Sequence, residues 1–139
     1  MNFFMKAFTG LHVLLVRLSG GKLGGTMNGF KVLILNTTGR KSGKTRANPL
    51  GYFEHQDGYL IVASNGGQNH HPAWFYNLSG NPQVAIEIMG TKSNARAQIV
   101  GSENYQQIWD WLVAQAPQYA NYAKSTTRQI PLVLLKSAK

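Results

Sequence analysis

Nine residues, Thr38-Gly39-Arg40-Lys41-Ser42-Gly43-Lys44-Thr45-Arg46, constrain the folding of this chain more than any other stretch. Four cations fall between Arg40 and Arg46, two glycines break the segment, hydroxyls lie between the charges, and no acidic residue precedes Glu54. The apolar extended run Phe30–Thr37 precedes it and a second extended run, Thr45–His55, follows, so the segment reads as a turn between strands. A compact glycine-kinked loop of cations and hydroxyls suits a multiply anionic ligand. Its alternative reading is a solvated hairpin turn. The nearest phosphate motif does not fit: Gly39 and Gly43-Lys44-Thr45 are separated by three residues where a P-loop needs four. A strand pattern follows instead of a helix, so the cradle of helix N-terminal N–H groups is missing. Nucleoside triphosphate hydrolysis is excluded on that ground.

Beyond the turn the chain continues as short strands and turns. Pro49 marks an edge or bulge in the second extended run. His55-Gln56-Asp57-Gly58 is a hairpin signal, and Tyr59–Ser64 is a third strand. Asn65–His71 is a polar glycine loop, and Pro72–Leu78 a short helix opened by proline at its first turn and stopped by Ser79-Gly80-Asn81-Pro82. Val84, Ile86 and Ile88 alternate with Gln83, Ala85 and Glu87, as in a half-buried strand; a turn at Gly90 leads into another through Ala95, Ala97 and Ile99. Ser102 is the expected N-cap of a helix carrying Tyr105, Ile108, Trp109, Leu112 and Val113, which Pro117 ends. A short aromatic segment holds Tyr119 and Tyr122, and Pro131–Lys136 is a last strand. Strands joined by hairpins without βαβ alternation predict a mainly antiparallel small barrel with helices packed outside.

The N-terminal 28 residues stand apart from residues 29–139, which form the expected barrel domain. Phe4, Phe8, Leu11, Leu15 and Leu18 recur at helical spacing, with Lys6, Thr9 and Arg17 on the opposite face and no acid. This predicts an N-terminal amphipathic helix ending at Ser19-Gly20-Gly21, docked on the domain or lying on an anionic membrane surface. Lys22–Gly29, with three glycines, reads as a linker. Lys6, His12 and Arg17 interrupt the apolar residues, which rules against a signal peptide or a span of about 20 apolar residues. The sequons at Asn36 and Asn77 then carry little weight, and a cytoplasmic location is expected.

The net charge of +9, from 14 Lys and Arg against 5 Asp and Glu, points to an anionic partner. The absence of cysteine excludes disulfides, thiolate catalysis and Cys-ligated metal. Ser64-Asn65-Gly66-Gly67 follows a strand, and its glycines let backbone amides approach a ligand closely; a plain glycine turn is the alternative. His70-His71 has no Asp, Glu or Cys at ligand spacing, so no metal is expected. Trp74, Phe75 and Tyr76 belong mostly to the core, with a planar cofactor edge against Trp74 as the functional option. Tyr119 and Tyr122, three apart, share a face in a helical segment and either cover the core or offer hydroxyls to a substrate. There is no carboxylate pair and no Ser-His-Asp logic, which favours chemistry done by a borrowed cofactor. The cations gather in one turn and no nucleic-acid-binding module is present, so nucleic acid is not an expected partner.

Leu35-Asn36-Thr37-Thr38-Gly39-Arg40-Lys41-Ser42-Gly43-Lys44-Thr45-Arg46-Ala47-Asn48-Pro49-Leu50 resembles the TTGRKSG…R…PL signature of the deazaflavin-dependent nitroreductase family. Val62-Ala63-Ser64-Asn65-Gly66-Gly67, with His71-Pro72-Ala73-Trp74-Phe75-Tyr76-Asn77-Leu78 and Asn81-Pro82, resembles its second signature, and Pro117–Leu135 resembles its tyrosine-bearing C-terminal segment. The resemblance runs from about Gly29 to the end. It implies a split β-barrel similar to the flavin-reductase and FMN-binding barrels. It implies hydride transfer from reduced coenzyme F420, whose tail is a phosphodiester extended by glutamates, to a quinone or nitroaromatic acceptor. By this resemblance Arg40, Lys41, Ser42 and Arg46 hold the tail. Asn48, Pro49, Ala63, Ser64, Gly66, Pro72, Trp74 and Asn77 shape the cofactor pocket, and Tyr119 and Tyr122 stand over the ring and position the acceptor. Asn65 stands where many members have lysine, and Ser125 where an aromatic is often found. The alternative within the same fold is a protein that binds FMN, haem or a fatty acid without this chemistry.

Overall fold

The computed structural model describes residues 26–27 and 30–138; the expected N-terminal helix and most of the expected linker lie outside the described residues. The elements are β1 (Thr26–Met27), β2 (Phe30–Thr38), β3 (Thr45–Gly51), β4 (Phe53–His55), β5 (Gly58–Val62), α1 (Ala73–Gly80), β6 (Gln83–Ile88), β7 (Thr91–Ile99), α2 (Ser102–Gln115), α3 (Gln118–Lys124) and β8 (Leu132–Ser137). Within the segment read as a linker, Thr26 and Met27 instead pair with Lys31 and Phe30 as a short antiparallel strand.

All strand pairs are antiparallel, and their order runs β1-β2-β6-β7-β8-β5-β4, with β3 also on β2. Ile34, Leu35 and Asn36 of β2 pair with both β3 and β6, so those two strands occupy opposite edges of β2. The path β3-β2-β6-β7-β8-β5-β4 therefore begins and ends on strands that are consecutive in sequence, separated by Tyr52 alone. A sheet whose two ends are one residue apart must curl on itself, and the Tyr52 N–H extends the β2–β3 ladder to that point by donating to the Lys31 carbonyl at 3.0 Å. This is the expected split β-barrel. Pro49 sits opposite Ile34 on β3, an end strand, where its missing N–H breaks no second ladder.

Side-chain alternation sorts the core into two layers. Leu33, Leu35, Ile61, Ala63, Val133 and Leu135 face the barrel interior, where Trp74 and Leu78 of α1 join the same buried cluster. Leu60, Val62, Leu132 and Leu134, their sequence neighbours, face outward under Ile108 and Leu112 of α2 and Tyr119 of α3. β5 and β8 are buried on both faces, which is why they read as continuous apolar runs while β7 alternates.

Two expected boundaries shift, at Ser102 and Pro72. Gly101, not Ser102, caps α2: Gly101 is extended at φ −77°, ψ 165°, and Ser102 is already helical. Pro72 caps α1 from just outside it rather than at its first helical position. Pro117 both follows the end of α2 and caps α3.

Candidate functional site

The basic turn closes on itself through its backbone. The Gly39 N–H donates to the Lys44 carbonyl and the Gly43 N–H to the Gly39 carbonyl, both at 2.8 Å. Ser42 Oγ accepts from the Lys44 N–H at 3.2 Å and from Arg46 Nη2 at 3.4 Å. Gly43 is left-handed at φ 72°, and a Cβ on Gly39 would meet Ser42 Oγ at 2.9 Å. With the backbone folded inward, Arg40, Lys41, Lys44 and Arg46 are all exposed.

Helix α1 holds this turn in place. Asn77, 7% exposed, accepts the Arg40 N–H on Oδ1 at 3.1 Å and donates from Nδ2 to Thr37 Oγ1 at 3.1 Å. The Arg40 guanidinium lies over the Tyr76 ring, 4.6 Å from its centroid. One end of the Asn77 amide is thus engaged by the turn and the other by the strand that leads into it. Asn77→Ala strands the Thr37 hydroxyl and the Arg40 N–H, and is expected to lower unfolding free energy by about 2 kcal/mol in urea denaturation.

The glycine loop is built differently. Asn65, Gly66 and Gly67 all have positive φ, at 48°, 63° and 80°. The Gly67 N–H donates to the Ser64 carbonyl at 2.8 Å, and Asn65 Nδ2 donates to the His70 carbonyl at 3.1 Å, so Asn65 closes the loop on itself. Gly66 is exposed with open space where a Cβ would stand. Gly67 is buried against Ser125 and the backbone of Tyr122. Ser125 Oγ lies 3.5 Å from the Gly67 carbonyl and 2.9 Å from that of Tyr122, which joins α3 to the loop.

Arg128 has no place among the residues expected from sequence, yet it is the main tie of this loop. Its Nε donates to the Gln68 carbonyl at 2.9 Å, Nη1 to the Ala63 carbonyl at 3.1 Å, and Nη2 to the Ser64 carbonyl at 2.8 Å. Nη1 also meets His71 Nδ1 at 2.8 Å, so that nitrogen accepts. Burial, then the Arg128 charge, holds the His71 imidazole below its ordinary range. No spacing rule marks a lone arginine in a connector. Among the described residues no three His, Cys, Asp or Glu gather to hold a metal.

Of the remaining expected site residues, Trp74 and Ala63 are buried in the barrel interior, at 5% and 0% exposure. Ser64 and Pro72 are half-buried at the two ends of the glycine loop, and Asn48 and Pro49 are half-buried on β3 opposite Leu35 and Ile34. Tyr119 and Tyr122 do share a face of α3, with ring centroids 5.7 Å apart. Tyr119 packs edge-on to Phe53 at 8% exposure, and Tyr122 is half-buried. Burial, then Tyr122, pushes the Tyr119 hydroxyl up to about 12, so it keeps its proton at neutral pH.

Helix α1 links the two loops. Its N-terminal flank, His71 and Pro72, belongs to the glycine loop, and Tyr76 and Asn77 grip the basic turn, roughly 9 Å farther along the axis. His71 stacks toward both Phe75 and Tyr76, at 4.8 and 5.6 Å. A separate groove of about 680 Å³ opens beside the turn's stem, lined by Thr38, Thr45, Lys92 and Arg96, and includes neither the glycine loop nor the tyrosines. The arrangement suits an elongated ligand with a charged end at the turn and a flat end at the glycine loop.

Residues 9–137 match the family model described as F420H(2)-dependent quinone reductase. The F420H(2)-dependent quinone reductase Rv1261c of Mycobacterium tuberculosis is 36% identical over 129 residues, 90% of this chain and 87% of its own. A solved F420-H2 dependent reductase, FDR-A, superposes with a TM-score of 0.67 at 34% identity, over 76% of this chain and 93% of that one. A structure described as a domain-swapped dimer superposes with a TM-score of 0.71 at 28% identity, over 96% and 97%. The chain belongs to the F420H(2)-dependent quinone reductase family.

Proposed function

We propose that this protein transfers a hydride from reduced F420 to a quinone, with its basic turn on the coenzyme's tail and its glycine loop at the ring. The observation that carries this reading is the double grip of α1, which fixes an exposed cation cluster at a set distance from an open backbone loop. The residues fit the coenzyme: four exposed cations face solvent without an acid in the turn, and Gly66 leaves room for a ring edge to approach.

When bound, the reduced deazaflavin supplies the hydride from its reactive ring carbon. Arg40, Lys41, Ser42 and Arg46 hold the tail phosphate and carboxylates through charge-assisted hydrogen bonds. Ser64, Gly66 and Pro72 border the ring, with Asn48 and Pro49 on the β3 side, while Ala63, Trp74 and Asn77 support those elements from behind. Tyr119 and Tyr122 position the acceptor. Tyr122 is the more accessible of the two, and its hydroxyl donates toward the quinone oxygen on which negative charge develops. A nitroaromatic is a second acceptor of the same electronic kind. We assign the cofactor domain to the chain from β1 onward, since Thr26 and Met27 already pair with β2, and the preceding segment to the cytoplasmic membrane face that holds quinones.

Purified protein mixed with reduced F420 and then menadione is expected to reoxidise the coenzyme at a rate that saturates in both reactants. Failure to bind micromolar reduced F420, with tight FMN binding instead, overturns the proposal.

A further inference from the structure

We propose that Arg128 is a positioning residue, which locks the glycine loop onto the α3–β8 connector and thereby sets the loop's shape for the coenzyme ring. This rests on the reading of that loop as the ring site. The geometry is specific. One guanidinium uses all three nitrogens on three carbonyls, those of Ala63, Ser64 and Gln68, and on His71 Nδ1. Its partners lie 57 to 65 residues away in sequence, on both arms of the loop. Loop carbonyls need partners, and here a single side chain supplies three. The same two segments meet again where Thr126 Oγ1 donates to Asn69 Oδ1 at 2.9 Å and where Gly67 packs on Ser125. The tyrosine-bearing helix and the glycine loop therefore form one unit with Arg128 as its fastener.

The arginine fork matters beyond its charge. A lysine at 128 keeps the cation, but a point donor on a flexible stem cannot reach carbonyls on both arms together. The clamp also depends on a neutral His71. Tyr76 of α1 and Tyr105 of α2 also face Arg128, and the Arg40 guanidinium lies over the Tyr76 ring. A proton on His71 removes the acceptor and sets cation against cation. The clamp is complete above the ordinary histidine range and weakens as pH falls through the lowered His71 value.

The test compares wild type with Arg128→Lys, Arg128→Gln and His71→Asn, whose amide oxygen can stand in for Nδ1. Amide hydrogen exchange is followed without coenzyme and corrected for intrinsic pH dependence, and binding of reduced F420 is measured separately. Both Arg128 variants are expected to exchange residues 63–71 about tenfold faster and to bind reduced F420 about tenfold more weakly, while β8 amides keep their rates. Wild type is expected to lose protection in the loop as pH falls below the ordinary histidine range, and His71→Asn to keep it. Arg128→Lys with wild-type exchange overturns the clamp. Faster exchange with unchanged coenzyme affinity overturns its role at the ring. If wild type itself binds no F420, the functional reading fails, and the exchange measurements still decide the clamp.

Discussion

Replacing Arg40 and Lys41 together by alanine is expected to raise the Kd for reduced F420 about 100-fold at low ionic strength, and about tenfold near 1 M salt. Each charge-assisted contact to a phosphate or carboxylate contributes about 1.5–3 kcal/mol when formed, and exposure reduces that share. Both side chains are exposed, so the screening length decides how much attraction survives. The structure makes this a clean test of charge. Arg40 ties the turn to Asn77 through its backbone N–H, and alanine keeps that group. The turn should hold its shape while losing two of its four cations. Arg40→Ala also removes the cation over Tyr76, so Lys41→Ala alone isolates the electrostatic part. A tail-less deazaflavin is expected to bind both proteins alike. An equal loss at every salt concentration argues against a tail-binding turn.

Gly67→Ala is expected to destabilise the protein by about 3 kcal/mol, against about 1 kcal/mol for Gly66→Ala, both read from urea midpoints at constant slope. The two glycines are adjacent and both left-handed, at φ 63° and 80°. Their surroundings separate them. A Cβ on Gly66 meets open space, so the backbone strain of a left-handed alanine is its main penalty. A Cβ on Gly67 collides with Ser125 Oγ and comes to 3.1 Å from the Tyr122 carbonyl oxygen. The serine hydroxyl can rotate away, but helical backbone cannot. Gly67→Ala should therefore also push α3 from the loop and weaken coenzyme binding. Equal midpoints for the two variants contradict this account of the loop.

Much of the architecture was legible because it is encoded locally. Hairpin signals at His55–Gly58 and around Gly90 set antiparallel pairing, since loops of such length permit nothing else. Pro49 announced an end strand through its missing N–H. Serine's propensity favours Ser102 as the α2 cap, whereas backbone conformation puts Gly101 at the boundary.

The site was legible in part. A cation cluster and a glycine loop are contiguous in sequence, so their character shows without a fold. What joins them does not. The family resemblance alone marks Asn77 as a pocket residue, and its grip on Thr37 and Arg40 spans 40 and 37 residues. Tyr119 and Tyr122 look alike as a pair, and packing against Phe53 buries one more than the other.

By itself, then, the sequence determined the period of each strand, the places where the chain turns, and the concentration of positive charge at one turn. Those properties depend on residues within a few positions of one another. The tertiary structure alone decided that Asn77 ties the turn to α1, that Gly67 rather than Gly66 is sterically required, and that Arg128 fastens the glycine loop. Each of these depends on atoms brought together across 37 or more residues by the curled sheet, and hydrogen-bond geometry at that range leaves no periodic trace along the chain.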